Sequence, residues 1–297
     1  MKKAEYLTPV ITAFDNNGNL DEKGNKEVYE FLIKNGVDGI VVMGSTGEFF
    51  AMSMEQKKKI IDIAVSTIDH RVKCFIGTGC MSAAETIELS NYALKAGADA
   101  VMIIGPYYFK LNEHQIEAYY DQVVPNVQGP VYIYNYPGGS GYDMTPEVTV
   151  KLLRKYSNIV GYKDTIDKFS HTREILEATI REFPEFNVYS GFDENMVHTM
   201  ISGGKGCIGG LSNIAPRLCA DWVNAINNKN LDEIEQIQLQ INSLMEFYTL
   251  EEPFIPAMKK AMISLGLDIS DKCIEFAPIT KEQEKQVEEI LTNKGLK

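Results

Sequence analysis

The sequence predicts an α/β protein that folds as a (β/α)8 TIM barrel with a C-terminal helical appendage. Eight short apolar runs alternate with runs of helical period, and each strand-plus-helix unit takes roughly 25–30 residues, the length of a βαβ step. Eight such units within about 210 residues are typical of a closed barrel. A doubly wound open sheet is the alternative, but the nucleotide-binding pattern GxGxxG is absent.

The predicted strands are short, apolar and rich in β-branched residues, and each ends where small or polar residues begin. In chain order they span residues 7–14, 39–44, 72–79, 98–105, 130–137, 158–164, 187–193 and 206–212. Active sites of such barrels lie at the carboxyl ends of the strands. We therefore expect the catalytic and substrate-binding residues at these strand ends.

Helical patterns separate the strands and also follow the last one. Between strands they cover, for example, 21–36, 53–68 and 82–97; after strand eight they cover 215–228, 230–250, 253–265 and 280–293. Ser82 is placed to cap the start of its helix, and Gly97 to end it. We expect the barrel to occupy residues 1–228 and a helical C-terminal region to occupy residues 229–297.

Composition and charge exclude several classes of function. The chain has 297 residues, a net charge of −12 and no basic stretch, which argues against nucleic acid as a partner. The sequence contains no apolar run long enough to span a membrane, so we expect no membrane partner. Five scattered cysteines without a CxxC pair favour a reducing, cytoplasmic environment. Four histidines without an HExxH pattern give no reason to expect a metal site.

A lysine ends the sixth predicted strand, in the segment NIVGYKDTIDK. Lysine is rarely buried without a partner or a use. One interpretation of Lys163 is structural, as an ion pair with Asp164 or as a side chain at the barrel rim. The other is a Schiff-base nucleophile, because a desolvated pocket disfavours the charged amine and only a neutral amine attacks a ketone. Successive strand side chains face opposite ways, so we expect Asp164 to point away from Lys163.

The segment GSTGEFF follows the second predicted strand. One interpretation is a simple tight turn. The other is an anion site, since glycines expose backbone N–H groups and the hydroxyls of Ser45 and Thr46 add donors. Such a site suits a carboxylate.

Tyrosines and acids at other strand ends have two interpretations each. Tyr134, like Tyr107 and Tyr108, fits either a packed core or a proton relay. Asp193 and Glu194 either accept hydrogen bonds from substrate hydroxyls or cap the helix that follows. Further candidate substrate-binding residues are Thr165, Gly191 and Ser212, which lie at strand ends.

In combination these motifs are specific. GSTGE, PYY, YNYPGGSG, YKDT and SGFDE occur in this order, and the chain from TPVITAF to PITKEQ resembles the dihydrodipicolinate synthase/N-acetylneuraminate lyase family of pyruvate-dependent class I aldolases. The resemblance implies a (β/α)8 barrel, a covalent Schiff base with the substrate, no cofactor and no metal. It also implies a homotetramer built as a dimer of dimers.

The resemblance assigns roles to individual residues. Lys163 is the Schiff-base lysine and Tyr134 the proton relay at the substrate hydroxyl. Ser45 and Thr46 hold the pyruvyl carboxylate with help from the backbone of Ile208. Tyr108 corresponds to a tyrosine that crosses a dimer interface to complete the relay of the neighbouring subunit.

Branches of the family differ in the part of the substrate beyond pyruvate. Dihydrodipicolinate synthases carry an arginine where this chain has Gly139. N-acetylneuraminate lyases share the acidic pair Asp193-Glu194 but have a serine at Gly210, where this chain is expected to leave room beside strand eight. The segments NIVGYKDTIDKFSH and EEPFIPAMKKAM look most like the 2-keto-3-deoxygluconate aldolases.

The sequence therefore predicts a cytoplasmic lyase that cleaves a 2-keto-3-deoxy sugar acid, such as 2-keto-3-deoxygluconate, to pyruvate and an aldehyde. Alternatives are an N-acetylneuraminate lyase and a 4-hydroxy-tetrahydrodipicolinate synthase. A non-catalytic sugar-acid-binding protein on the same scaffold is a further alternative, because fold does not determine function.

Overall fold

Eight parallel strands close into a barrel in chain order, from β1 to β8. The computed structural model describes residues 1–297. The strands are β1 Glu5–Pro9, β2 Gly39–Val42, β3 Lys73–Gly77, β4 Ala100–Ile103, β5 Val131–Asn135, β6 Ile159–Asp164, β7 Asn187–Ser190 and β8 Gly206–Ile208. Nearly every strand residue is buried, as is typical of parallel strands that are covered on both faces.

Twelve α-helices accompany the strands. They are α1 Glu22–Lys34, α2 Met54–Ile68, α3 Ala83–Ala96, α4 Glu113–Val123, α5 Pro137–Ser140, α6 Pro146–Lys155, α7 Phe169–Thr179, α8 Met196–Ile201, α9 Pro216–Asn228, α10 Leu231–Leu244, α11 Ile255–Ser264 and α12 Lys281–Asn293. No helix is long and apolar enough to cross a membrane.

The predicted (β/α)8 barrel is confirmed, and the strand predictions differ from the structure mainly at their ends. The first strand was predicted over residues 7–14, but it ends at Pro9, and the buried chain beyond leaves the ladder. The seventh was predicted to reach residue 193, but the chain turns after Ser190. Buried loops beside a strand are as apolar as the strand itself, so composition alone extends the prediction too far.

Helix ends follow local capping chemistry in most cases. Ser53 caps α2 in a reciprocal capping box with Gln56. Gly97 ends α3 with a φ of 117°, as predicted. The prediction for Ser82 was wrong: Ser82 occupies the N-cap position of α3, but its side chain makes no capping hydrogen bond. Its backbone carbonyl instead accepts from the hydroxyl of Thr86.

The chain divides into two compact units. One consists of Met1–Glu5 and Phe75–Gly209, and the other of Tyr6–Cys74 and Gly210–Lys297. The division of the chain into a barrel over residues 1–228 and a helical region over residues 229–297 stays a prediction. Within the first unit, β5 and β6 pair with Tyr134 opposite Lys163 and Asn135 opposite Asp164. This register places the two candidate catalytic side chains next to each other.

Candidate active site

Lys163 and Tyr134 form the centre of the candidate site. Both side chains are buried, with 5% and 6% of their surface exposed. Lys163 Nζ lies 4.4 Å from the centroid of the Tyr134 ring. The ammonium or amine thus faces an aromatic ring rather than a carboxylate, which agrees with the expectation that Lys163 is not paired with Asp164.

Asp164 points to the other side of β6 and is fully buried there. Its carboxylate accepts three hydrogen bonds: from Thr172 Oγ1 at 2.7 Å, from His171 Nδ1 at 2.9 Å and from Asn135 Nδ2 at 3.2 Å. A buried carboxylate needs such donors to offset the cost of desolvation. Asp164 therefore joins the end of β6 to α7 and to β5 directly beside the Tyr134–Lys163 pair.

The network continues from Asn135 and His171 to Asp143, in the loop before α6. Asn135 Nδ2 donates to Asp143 Oδ1 at 2.9 Å, and its Oδ1 accepts from the backbone of Met144 at 3.0 Å. His171 Nε2 lies 3.1 Å from Asp143 Oδ1. The imidazole therefore stands between two carboxylates, those of Asp164 and Asp143.

Its surroundings set the charge of His171. Burial by itself lowers the pKa of this imidazole, but the nearby charges of Asp143 and Asp164, with the hydrogen bond to Asp164, outweigh burial and raise the pKa from 6.5 to about 10. His171 is thus a cation at neutral pH, which balances part of the negative charge beside the candidate site.

A hydroxyl without a protein partner lies close to the end of β6. Thr165 Oγ1 is buried and makes no hydrogen bond within the protein. It lies against Gly191, where an added Cβ would come within 2.1 Å of this oxygen. Glycine at position 191 is therefore required by the close approach of Thr165, whose hydroxyl has no hydrogen-bond partner within the protein.

The predicted acidic pair follows β7. Asp193 is buried, and Glu194 is partly buried in the same 3₁₀ turn, Asp193–Asn195. Burial raises the pKa of Glu194, and the carboxylates of Asp193 and Asp167 raise it further. The N-cap of α8 is Asn195 rather than Asp193. The acid pair therefore belongs to the strand end and not to the start of α8.

The second unit carries three other predicted residues. Ser45 and Thr46 form a 3₁₀ turn with Gly47 directly after β2, and Thr46 is buried. Ser212 is buried in the 3₁₀ turn Gly210–Asn213. The room expected beside Gly210 is absent, because an added Cβ there would lie 2.6 Å from Tyr248 Oη. That expectation was wrong, since a tyrosine distant in sequence fills the space.

Position 139 carries no side chain, and its surroundings admit none without movement. An added Cβ at Gly139 would lie 2.6 Å from the ring of Tyr136. That ring stacks in parallel on Tyr134, with centroids 6.0 Å apart. An arginine at this position would therefore require the Tyr136 ring to shift.

The two remaining predicted residues, Ile208 and Tyr108, lie in opposite environments. Ile208, the last residue of β8, is fully buried. Tyr108 is 78% exposed, and its ring meets the exposed ring of Phe109 edge-on at 4.9 Å. Both rings are therefore on the surface of the chain.

Sequence reasoning missed the residues behind the strand ends. The sequence singles out none of His171, Asn135 and Asp143 as a functional residue. The sequence shows only that Asn135 directly follows Tyr134 and that Asp164 directly follows Lys163. The significance of this order becomes clear once the register of β5 and β6, which pairs Asn135 with Asp164, is known.

Comparisons with known proteins agree with this fold. The family model of the dihydrodipicolinate synthetase family matches residues 2–294. The Escherichia coli K12 protein named "Probable 2-dehydro-3-deoxy-D-pentonate aldolase YjhH" is 35% identical over 298 residues, which cover 100% of this chain and 99% of YjhH. A 4-hydroxy-tetrahydrodipicolinate synthase of Kosmotoga olearia is 33% identical, with 97% of each chain covered.

A solved structure is also similar. YagE of E. coli K12, a prophage protein crystallised in complex with pyruvate, superposes with a TM-score of 0.96 and 34% identity over 99% of both chains. YagE is named, provisionally, a 2-dehydro-3-deoxy-D-gluconate aldolase, and in sequence it is 35% identical over 96% of this chain and 95% of its own.

The closed barrel, the lysine at the end of β6 and the similarity to named aldolases together define an enzyme of the aldolase and lyase class. The chain belongs to the dihydrodipicolinate synthetase family, whose members are pyruvate-dependent class I aldolases and lyases. The resemblance inferred from the motifs is confirmed.

The charge of His171 leads to a testable change in stability. His171→Asn keeps a donor near the Nδ1 position but removes the charge. Because the folded-state pKa of about 10 lies above the unfolded value near 6.5, the charge stabilises the fold fully below pH 6.5, and this stabilisation is lost as the pH rises through 10. We expect wild-type protein to exceed the variant by up to about 4 kcal/mol in unfolding free energy at pH 6, and by much less at pH 10.

Urea unfolding at a series of pH values measures this difference. The matched variant His171→Gln places its amide near Nε2 and therefore also deprives Asp164 of a donor. It should be less stable than His171→Asn by roughly 1–3 kcal/mol. A stability difference between wild type and His171→Asn that does not change with pH would contradict a charged His171.

Proposed function

We propose that the protein is a Schiff-base aldolase that cleaves a 2-keto-3-deoxy sugar acid, of the 2-keto-3-deoxygluconate type, to pyruvate and an aldehyde. The buried, unpaired hydroxyl of Thr165, two residues beyond Lys163, is the observation that carries the choice of a polyol substrate. Membership of the family supports the pyruvate half of the reaction.

Lys163 is proposed as the nucleophile. Its amine adds to the C2 ketone of the substrate, and loss of water leaves an iminium. Burial of Lys163 against the Tyr134 ring, on the side of β6 away from Asp164, supports this role. No cofactor and no metal are required, since the iminium itself accepts the electron pair.

Tyr134 is proposed as the proton relay. Its oxygen takes the proton from the C4 hydroxyl of the substrate while its own proton passes along the relay to water, C4 becomes the aldehyde carbon, and the C3–C4 bond breaks. The electron pair of that bond moves toward the iminium nitrogen, which leaves an enamine. Protonation at C3 and hydrolysis by water then release pyruvate and restore the amine of Lys163.

The carboxylate of the pyruvyl half is assigned to Ser45, Thr46 and the backbone of Ile208. The 3₁₀ turn after β2 supports this assignment, because hydroxyls and backbone N–H groups at such a turn bind an anion without a cationic side chain. Tyr108 is assigned to the relay of a neighbouring subunit, which its exposure permits.

The aldehyde half is assigned to Thr165, Gly191, Asp193, Glu194 and Ser212. Gly191 offers only its backbone, and the other four residues offer hydroxyl and carboxylate oxygens that pair with the hydroxyls of a polyol. Leaving a buried hydroxyl such as that of Thr165 unpaired costs about 1–3 kcal/mol, and a substrate hydroxyl can remove that cost. Gly139, packed against Tyr136, offers no cation to a second carboxylate.

Two alternatives have an observation in their favour. N-acetylneuraminate lyase activity is favoured by the pair Asp193-Glu194, but the hydroxyl of Tyr248 at Gly210 leaves less room for a bulky sugar. 4-Hydroxy-tetrahydrodipicolinate synthase activity is favoured by the relative from Kosmotoga olearia, but Gly139 lacks the arginine of that branch.

We also propose a homo-oligomer, a dimer of dimers, in a reducing cytoplasm. The exposed pair Tyr108 and Phe109 supports an interface between subunits. All five cysteines are buried and none forms a disulfide, which agrees with a reducing compartment.

The nucleophile can be tested by trapping. Borohydride in the presence of pyruvate should reduce the iminium and add a fixed mass to Lys163 alone, detected by peptide mass spectrometry. Lys163→Ala should abolish both trapping and turnover because no other buried amine faces Tyr134. Lys168→Ala, which removes a nearby exposed lysine, should retain both. Trapping at full yield in Lys163→Ala would place the nucleophile elsewhere.

The relay can be separated from packing at Tyr134. Tyr134→Phe keeps the ring and removes the hydroxyl, so kcat should fall by roughly 10²–10⁴-fold while borohydride trapping persists. Tyr162→Phe is the control, because the Tyr162 hydroxyl donates to the Met144 carbonyl at 2.8 Å and faces away from Lys163. It should cost about 1 kcal/mol of stability with little change in kcat. A Tyr134→Phe enzyme with a lower melting temperature and wild-type kcat contradicts the relay.

Substrate choice can be tested with three reactions side by side. We expect cleavage of 2-keto-3-deoxygluconate to exceed condensation of pyruvate with aspartate semialdehyde by at least about tenfold in kcat/KM. Thr165→Val keeps the shape but lacks the hydroxyl, and should lower kcat/KM for the sugar acid by about tenfold or more. Faster release of pyruvate from N-acetylneuraminate than from 2-keto-3-deoxygluconate would reverse the proposed ranking.

A further inference from the structure

Strained backbone flanks the loop after β2. The tetrapeptide Gly44–Gly47 lies between Met43, with a φ of 57°, and Glu48, with a φ of 56°. Residues other than glycine enter this left-handed region at a cost in free energy, and they remain there only where surrounding contacts impose it. Within the loop, Gly47 N donates to the Gly44 carbonyl at 3.0 Å and Glu48 N donates to the Ser45 carbonyl at 3.1 Å.

Glu48 is held by both oxygens of its side chain. Oε1 lies 2.6 Å from Nζ of Lys259, on α11, and Oε2 accepts from the backbone N–H of Ile274 at 2.8 Å. Lys259 Nζ also donates to the Lys272 carbonyl at 2.7 Å and lies 4.7 Å from the centroid of the Phe14 ring. The loop is thus attached to two separate segments that follow the last strand of the barrel.

This ion pair is fully buried on both sides. Removing two charges from water is costly, and buried ion pairs are often no more stabilising than apolar side chains of the same size. Both oxygens of Glu48 are satisfied, and the residue has a strained backbone beside the loop. These features indicate that the ion pair determines the conformation of the loop rather than adding stability.

We propose that Glu48 and Lys259 are positioning residues that hold the Gly44–Gly47 loop in the conformation in which Ser45 and Thr46 bind the carboxylate of pyruvate. The inference rests on the proposed function of Ser45 and Thr46. It assigns to α11 and to the segment Lys272–Ile274 a part in substrate binding through the loop.

The consequence for kinetics is specific. The carboxylate keeps its charge throughout the reaction, so contacts to it stabilise the bound substrate and the transition state alike. Loss of the loop conformation should therefore raise the half-saturating concentration of pyruvate and leave the maximal rate almost unchanged. A residue needed only for folding stability has no such effect on the folded enzyme.

The test uses borohydride trapping of the full-length protein at graded pyruvate concentrations, with thermal unfolding of each variant. In Glu48→Gly/Lys259→Met, glycine accepts the left-handed backbone without strain and no charge is left unpaired. We expect half-saturating pyruvate to rise at least about tenfold and the maximal trapping rate to stay within about threefold of wild type.

Two further variants complete the design. Asp268→Asn breaks an ion pair with Lys23 in the same unit, whose side chains are 77% and 79% exposed, and should leave half-saturation unchanged. Glu48→Gln/Lys259→Met also lacks the charge pair but keeps an acceptor for Ile274 N. It should raise half-saturating pyruvate about threefold, and it decides the question if the glycine variant does not fold.

The outcomes separate the two proposals. Wild-type half-saturation in the folded Glu48→Gly/Lys259→Met variant overturns the positioning role while the proposed aldolase stands. If the glycine variant does not fold, wild-type half-saturation in Glu48→Gln/Lys259→Met overturns the positioning role in the same way. Absence of trapping in the wild-type protein at any pyruvate concentration contradicts the proposed function and, with it, this inference.

Discussion

The arrangement of the candidate site depends on one buried carboxylate. Asp164 is inaccessible to water and survives as an acceptor because β5 and α7 supply three donors to it. Those donors fix the ends of β5 and β6 against α7, one residue beyond the pair Tyr134 and Lys163. Without donors, a buried carboxylate costs several kcal/mol, so the register of these strand ends is strongly determined.

Two buried lysines, Lys163 and Lys259, have different neighbours. Lys259 is fully buried and is paired with a carboxylate, a carbonyl and an aromatic ring. Lys163 is buried beside an aromatic ring, and the carboxylate next to it in sequence faces the opposite side of the strand. Lys259 thus has the contacts of a structural ion pair, whereas Lys163 faces an aromatic ring on the side of β6 away from Asp164. The same residue type therefore occupies two different environments, which its neighbours determine.

Much of the fold could be predicted because the signals are local. Short apolar runs, helical periods and glycine stops predict the order of the elements, and the closed barrel follows from eight repeats of one unit. Errors arose where local and tertiary effects compete. Ser82 had the residue type of a cap but makes no capping bond, and the first predicted strand extended into a loop that is buried by other elements.

By itself the sequence determined the barrel, the family and the strand ends that carry Lys163, Tyr134 and the GSTGE loop, because residue type and spacing carry that information. Tertiary structure alone decided that Tyr248 fills the space beside Gly210, that His171 stands between two carboxylates, and that Lys259 reaches Glu48 across 211 positions of the chain. Contacts between residues so distant in sequence depend on how strands and helices pack. No local pattern of hydrophobicity or propensity records them.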